Sequence, residues 1–359
     1  MKNIGILFGG NSTEYNVSLE SAYGVITHMD RTKYLPVLIG ITRQGQWLYF
    51  NGDPKKIANN TWFEDASCRR AIIPPDAAEQ SLWIFEGNHI TRLALDGVFP
   101  ILHGKNGEDG TVQGLLEMAR IPVIGCKTLS SALCMNKDMA HRLVGAAGIR
   151  VPKSHILDRE ALADFSAQPE KASDNLLNAL ENKGLTLPLF VKPVCAGSSF
   201  GITKVTHKED LAPAICQAFD HDRQVILEEN IDGFEVGCAV MGNEPLTIGD
   251  VDEIQLSGGF FDYEEKYTLK SSQIYVPARI SREKANEIKA VARRIYRILD
   301  CRDFARIDMF LMPSGEICFN EVNTIPGFTP HSRFPGMMQS AGISFEQIID
   351  QLIQMEVSL

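Results

Sequence analysis

Between Arg306 and Asn323 two apolar runs, Ile307-Asp308-Met309-Phe310-Leu311 and Ile317-Cys318-Phe319-Asn320-Glu321-Val322, flank a Pro313-Ser314-Gly315 turn. That arrangement predicts a β-hairpin. With a four-residue turn, Asp308 falls opposite Glu321 and Arg306 opposite Asn323. Side chains alternate along a strand, so all four share one face with Phe310, Met312, Ile317 and Phe319, and that face should be buried. Facing carboxylates in low dielectric repel strongly unless a cation lies between them. Asp, Glu and Asn offer only oxygen, and no His or Cys shares their face of the hairpin. Such a donor set suits Mg²⁺, which takes phosphate oxygens as well. The competing reading leaves one acid in water or paired with Arg306.

Other residues suit phosphate chemistry. Lys192 lies in a predicted strand, Leu187–Pro193, and Lys137 heads a predicted helix that runs to Ala147 and is closed by Gly148. Val194-Cys195-Ala196-Gly197-Ser198-Ser199-Phe200-Gly201 follows the Lys192 strand; small residues and glycines let backbone N–H groups approach an anion. The stretch lacks the spacing and terminal Lys-Ser/Thr of a Walker loop, so it is either another kind of phosphate cover or a hairpin turn. Glu228 and Glu229 end a further strand, where acids bind a ribose or face water. A strand follows over Glu235–Met241, and Arg282–Leu299 has the pattern of an amphipathic helix.

The elements that must carry these groups begin with an α/β unit: a strand Ile4–Phe8, a Gly9-Gly10 turn, and a helix from Val17 to Thr27. The turn is not G-x-G-x-x-G, which weakens a dinucleotide reading. Glu14 in this turn is either a helix cap or a ligand for a substrate ammonium. Strands at 34–41 and 97–102 follow, the latter ending at His103-Gly104 and Glu108. Loops after parallel strands are where α/β proteins place their sites. His103 and Glu108 are therefore candidates, against the alternative that they only fix the loop. The polar, aromatic stretch 257–272 is either a mobile lid or an exposed loop.

Composition bounds the rest. The 359 residues are enough for two or three domains, with 44% hydrophobic and 22% charged residues, both ordinary for a globular protein. A net charge of −10 argues against nucleic-acid or acidic-membrane partners. The eight cysteines form no C-x-x-C pair, which suits reduced thiols in a cytoplasmic protein. No apolar run reaches the length of a membrane span, and the apolar start breaks at Gly9-Gly10, too early for a signal peptide.

Together these motifs resemble the ATP-grasp superfamily and, more closely, the D-alanine–D-alanine ligase family with its vancomycin-resistance relatives. The resemblance covers essentially the whole chain. It rests on Phe8-Gly9-Gly10 with Glu14 and Ser18-Leu19, His103-Gly104 with Gly107-Glu108-Asp109-Gly110, Met135-Asn136-Lys137, Val191-Lys192-Pro193, Gly197–Gly201, and Asn320–Phe328. It implies a mixed α/β and α+β, three-domain ATP-grasp fold: an N-terminal α/β domain (1–127), a central ATP-binding subdomain (128–229), and a C-terminal catalytic subdomain (230–359) with a lid at 257–272. It implies ATP, two Mg²⁺ ions with Mn²⁺ as a substitute, and ligation of two D-amino acids through an acyl phosphate. Lys137, Lys192, Ser199, Glu228, Glu235 and Lys266 would serve ATP. Asp308, Glu321 and Asn323 would hold metal, with Glu321 bridging. Glu14, coupled to Ser198 and Tyr267, would bind the first D-alanine near His103. Arg306 and the Gly327 N–H would face the tetrahedral oxyanion. A cytoplasmic homodimer serving cell-wall synthesis is also implied.

The second substrate is read from finer marks. Tyr267 in the lid, where lactate-using relatives carry a histidine, indicates an amino acid. Phe261 replaces a tyrosine common in D-alanine–D-alanine ligases, and His331-Ser332-Arg333 carries an arginine where they often have an apolar residue. Phe261, Ser332 and Arg333 thus resemble the D-alanine–D-serine ligases, since losing a hydroxyl makes room and a guanidinium supplies donors. The alternatives are a housekeeping D-alanine–D-alanine ligase, a different ATP-grasp ligase, and a non-catalytic nucleotide-binding regulator. The last fits poorly with intact lysines, acids and Arg306.

Overall fold

A computed structural model describes residues 1–197, 201–256 and 272–357. Among these residues the strands form three sheets. The first holds β1 (Lys2–Gly9), β2 (Tyr34–Ile41), β3 (Trp47–Phe50), β4 (Arg69–Ile72), β5 (Ser81–Glu86), β6 (His89–Ala94) and β7 (Gly97–Pro100), in the order β6-β5-β4-β3-β2-β1-β7. β1 runs parallel to both β2 and β7, which is why it is apolar on both faces. Ile4, Ile6 and Phe8 point into one core beside the helix Tyr15–His28, whereas Leu7 points into the core on the other side. The strand expected over 97–102 stops at Pro100, and the loop carrying His103 begins there.

Phe8 meets Trp62 edge-on at 4.9 Å, and both sit against Gly40 on β2. A Cβ on Gly40 would lie 2.3 Å from the Trp62 ring. Gly40→Ala is therefore expected to destabilise the protein by about 2 kcal/mol through overpacking. A lower urea midpoint checks this, and an unchanged one would show that Trp62 can shift freely.

The second sheet holds β8 (Ser154–Asp158), β9 (Leu189–Pro193), β10 (Thr203–Val205) and β11 (Gln224–Glu229), in the order β10-β9-β11-β8. The third holds β12 (Phe234–Met241), β13 (Thr247–Leu256), β14 (Ser272–Tyr275), β15 (Phe304–Leu311) and β16 (Ile317–Asn323), in the order β14-β13-β12-β15-β16. The helix Arg282–Ile298 is capped by Ser281 and buries Ile288, Ala292 and Ile295 in the core under this sheet. The last helix, Phe345–Glu356, starts in a Ser344–Gln347 capping box. It returns to the N-terminal core, burying Phe345, Ile348, Ile349, Leu352 and Ile353 among Ile4, Ile6 and Ile26. Asp350 on its flank accepts hydrogen bonds from Lys33 Nζ and Tyr34 Oη, both at 2.8 Å.

The acidic hairpin forms with Arg306 opposite Asn323 and Asp308 opposite Glu321, as the spacing predicts. The turn differs. Met312 and Glu316 close a three-residue loop with Gly315 at φ +85°, the left-handed position that such loops require. One residue is thus lost at the turn and recovered further along, where the register shifts so that Met309 pairs with Phe319 and Asn320 is left over as a bulge. The shared face is corrected accordingly. Phe310 stays with Asp308, but Ile317 and Phe319 turn to the opposite side and join the core under the sheet with Met309.

Candidate active site

The second and third sheets enclose a cavity of about 440 Å³. Phe190, Ile202, Ile231, Phe234 and Phe310 give it apolar walls. Its polar groups include Lys137, Lys192, Glu228, Glu235, Asp308, Glu321 and Arg333. Sequence-predicted residues more than a hundred positions apart therefore meet in one space.

Lys192 on β9 and Glu228 on β11 are cross-strand neighbours, with Nζ 2.5 Å from Oε2. Burial pushes the Glu228 carboxyl up, but Lys192 first and His141 next outweigh that, so it is held below the usual carboxylate range. Lys137 begins the helix Lys137–Ala146, capped by the Asn136 side chain accepting from the Met139 N–H. Its ammonium donates to the Ala196 carbonyl at 2.7 Å and lies 3.8 Å from Glu321 Oε2. It thereby joins the small-residue loop to the acidic hairpin.

At the hairpin, Arg306 grips Asp308 with both arms, Nε to Oδ1 at 2.8 Å and Nη2 to Oδ2 at 2.7 Å. Asn323 Nδ2 donates to the same Oδ2 at 2.9 Å. The pairing of an acid with Arg306, weighed as the competing reading, is thus realised for Asp308. Arg333 stands 3.4 Å away on the other side of Asp308. It forks onto Asp252 at 2.7 and 2.9 Å and donates to Glu235 at 2.8 Å. Burial opposes the charge on Arg333, yet Asp252, Asp308 and Glu235 more than offset it and hold the guanidinium far above its ordinary range. Burial raises the Glu235 carboxyl despite Arg333 beside it.

As a metal site, Asp308, Glu321 and Asn323 supply two carboxylates and a carboxamide along the cavity side of one hairpin. That donor chemistry fits a hard divalent cation. Among the described residues no group of three His, Cys, Asp or Glu side chains is arranged to hold a metal ion.

A smaller recess adjoins the cavity, lined by Glu14, Glu108, Lys137, Gly197, Glu321 and Asn323 among others. Glu14 occupies the N-cap position of its helix, but its side chain makes no capping bond. Instead Gly104 and Gly197 leave room for it; a Cβ on either would lie 2.4 or 3.1 Å from Oε2. His103 Nδ1 donates to the Ile325 carbonyl at 2.8 Å, which leaves Nε2 to accept from Ser21 at 3.1 Å. Glu108 accepts from Gly104 N at 2.8 Å and Ile325 N at 3.1 Å. These bonds sew the loop after β7 to the loop after β16, so both residues do fix the loop, and Glu108 does so at the recess. Gly327 lies against Ser332, whose hydroxyl accepts from Thr329 N at 3.0 Å.

Ser198, Ser199, Phe261, Lys266 and Tyr267 lie outside the described residues. Two buried polar residues were not anticipated from the sequence. Asp252 on β13 is fully buried and holds Arg333. His141, one turn along the helix from Lys137, faces Glu228 at 3.7 Å. An acid inside an apolar strand hints at a buried counter-charge, but Arg333 is 81 residues away and only the fold identifies it.

Residues 3–126 match the model of the D-ala D-ala ligase N-terminus and residues 143–354 that of the C-terminus. The chain belongs to the D-alanine–D-alanine ligase family. It is 43% identical to the vancomycin C-type resistance protein VanC1 of Enterococcus gallinarum, covering 98% of each chain. It is 40% identical to a D-alanine–D-alanine ligase of Caldicellulosiruptor bescii, covering 99% of this chain and 94% of that one. Among solved structures, the VanG D-Ala:D-Ser ligase of Enterococcus faecalis superposes with a TM-score of 0.88 at 53% identity, over 99% of both chains. The family is ATP-dependent, and the chain shares its ATP-grasp fold with these relatives. Among the described residues no helix is long and apolar enough to cross a membrane.

Proposed function

We propose that this ligase joins D-alanine to D-serine, forming D-alanyl-D-serine, ADP and phosphate, for cell-wall precursors that vancomycin binds weakly. Lys137 and Lys192 hold ATP phosphates while Glu235 and Glu228 serve the nucleoside end of the cavity. Asp308, Glu321 and Asn323 hold Mg²⁺, which when bound neutralises phosphate charge. In the adjoining recess Glu14 takes the ammonium of the first D-alanine, whose carboxylate receives the γ-phosphoryl group. The amine of the second amino acid attacks that acyl phosphate, and phosphate leaves from a tetrahedral intermediate stabilised by Arg306 and the Gly327 N–H.

The observation that carries the serine reading is Arg333. Its guanidinium is fixed by the Asp252 fork, beside Asp308 on the cavity wall, in a chain 53% identical to a D-Ala:D-Ser ligase. Fixed that way, it offers a hydroxyl a donor that costs little ordering on binding. Phe261, by sequence alone, lacks the hydroxyl that a tyrosine would carry. Product analysis from equimolar D-alanine and D-serine with ATP and Mg²⁺ tests the proposal. Mostly D-alanyl-D-serine is expected near neutral pH. Mostly D-alanyl-D-alanine would instead assign the chain to the activity named for its relative from Caldicellulosiruptor bescii.

A further inference from the structure

His141 faces Glu228 of the nucleotide cavity, and the ligation mechanism gives His141 no part. His141 is 3% exposed, and its ring stands edge-on to Phe319 at 5.6 Å and 81°, which fixes the plane of the imidazole. Nε2 lies 2.8 Å from the carbonyl of Asn320, the bulged residue of the acidic hairpin. A carbonyl only accepts, so Nε2 carries the proton in this contact. Nδ1 then faces Glu228 Oε1 at 3.7 Å. Both atoms are fully buried, and neither has a hydrogen-bond partner among the described residues. The gap is too short for a bridging water. Buried polar atoms left in this state are costly, and here two of them point at each other.

The other oxygen of Glu228 accepts from Lys192 at 2.5 Å. A lysine that turns from a carboxylate to a phosphate leaves that carboxylate behind. Glu228 is 2% exposed, so water cannot replace the ammonium. We propose that His141 is a positioning residue of the nucleotide site, closing onto Glu228 Oε1 as Lys192 turns to the phosphates and holding β11, the Lys137 helix and the Asn320 bulge in one arrangement. Nε2 already donates to Asn320, so the closed contact has a proton on each ring nitrogen, the second one taken from solvent. This rests on the reading of the cavity as an ATP site.

The test is a double-mutant cycle on binding of a non-hydrolysable ATP analogue with Mg²⁺, measured by calorimetry on the full chain. His141→Leu is expected to weaken analogue binding by about tenfold. His141→Gln, which keeps one donor, should fall between, and it carries the test if the leucine variant melts early. In a Glu228→Gln background, where the carboxylate charge is gone, removing His141 should cost less than about twofold. Steady-state kinetics should show the loss in KM for ATP, with kcat and the KM values for amino acids little changed. With ¹⁵N-histidine labelling, the analogue complex should show one ring protonated at both nitrogens that is missing in His141→Gln.

Equal losses in both backgrounds, or a ring singly protonated in the complex, would overturn the inference while leaving the ATP site intact. A wild-type chain that binds no nucleotide would overturn both.

Discussion

Replacing Arg306 with Met is expected to lower kcat/KM by about a thousandfold and to destabilise the protein by about 3 kcal/mol. Two separate losses lie behind these figures. A preorganised donor at a developing oxyanion is worth about 10²–10³ in rate, and Arg306 is the guanidinium proposed for that place. The stability loss has a different source. Asp308 is buried and takes both arms of Arg306; without them it keeps Arg333 at 3.4 Å. Arg306→Lys separates the two effects. It keeps the charge beside Asp308 but loses the planar fork, so stability should recover more than kcat does. Steady-state kinetics and urea unfolding of both variants measure this. A kcat within about threefold of wild type in Arg306→Met would remove Arg306 from the reaction centre, since loss of a single oxyanion donor costs far more.

Arg333→Leu is expected to have the second largest effect, and on product choice rather than rate. The ratio of D-alanyl-D-serine to D-alanyl-D-alanine should fall by roughly tenfold, the equivalent of one lost hydrogen bond to a charged donor. The variant also leaves Asp252, Glu235 and Asp308 short of their common counter-charge, which should cost about 3–5 kcal/mol in stability. A double change, Arg333→Leu with Asp252→Leu, removes the fully buried acid together with its partner. It should restore part of the stability while leaving the product ratio low. If the ratio stays at the wild-type value in both variants while only stability moves, Arg333 is a structural counter-charge and D-serine selectivity arises elsewhere.

Much of the site was legible before any fold was known, because its chemistry is local. Asp308, Glu321 and Asn323 are placed by the two-residue period of a hairpin, and that period survives folding. The turn and the bulge each departed from expectation by one residue in opposite senses, so the acids kept their facing positions while Phe319 left their side. Lys192 and Glu228 are diagonal neighbours on adjacent strands, Lys192 lying opposite Ile226, so their contact follows once β9 and β11 pair.

What the sequence by itself determined is the set of reactive groups, the strands and helices that bear them, and the family to which such motifs belong. Apolar periodicity, turn residues and caps act over a few positions and can be read there. Only the tertiary structure decided which distant charges share a buried space. Asp252 meets Arg333, His141 meets Glu228, and the last helix closes the core begun by the first strand. Each of these joins residues far apart along the chain. A buried charge accepts a partner at any sequence separation, provided packing brings the two together in low dielectric, and no local pattern records that.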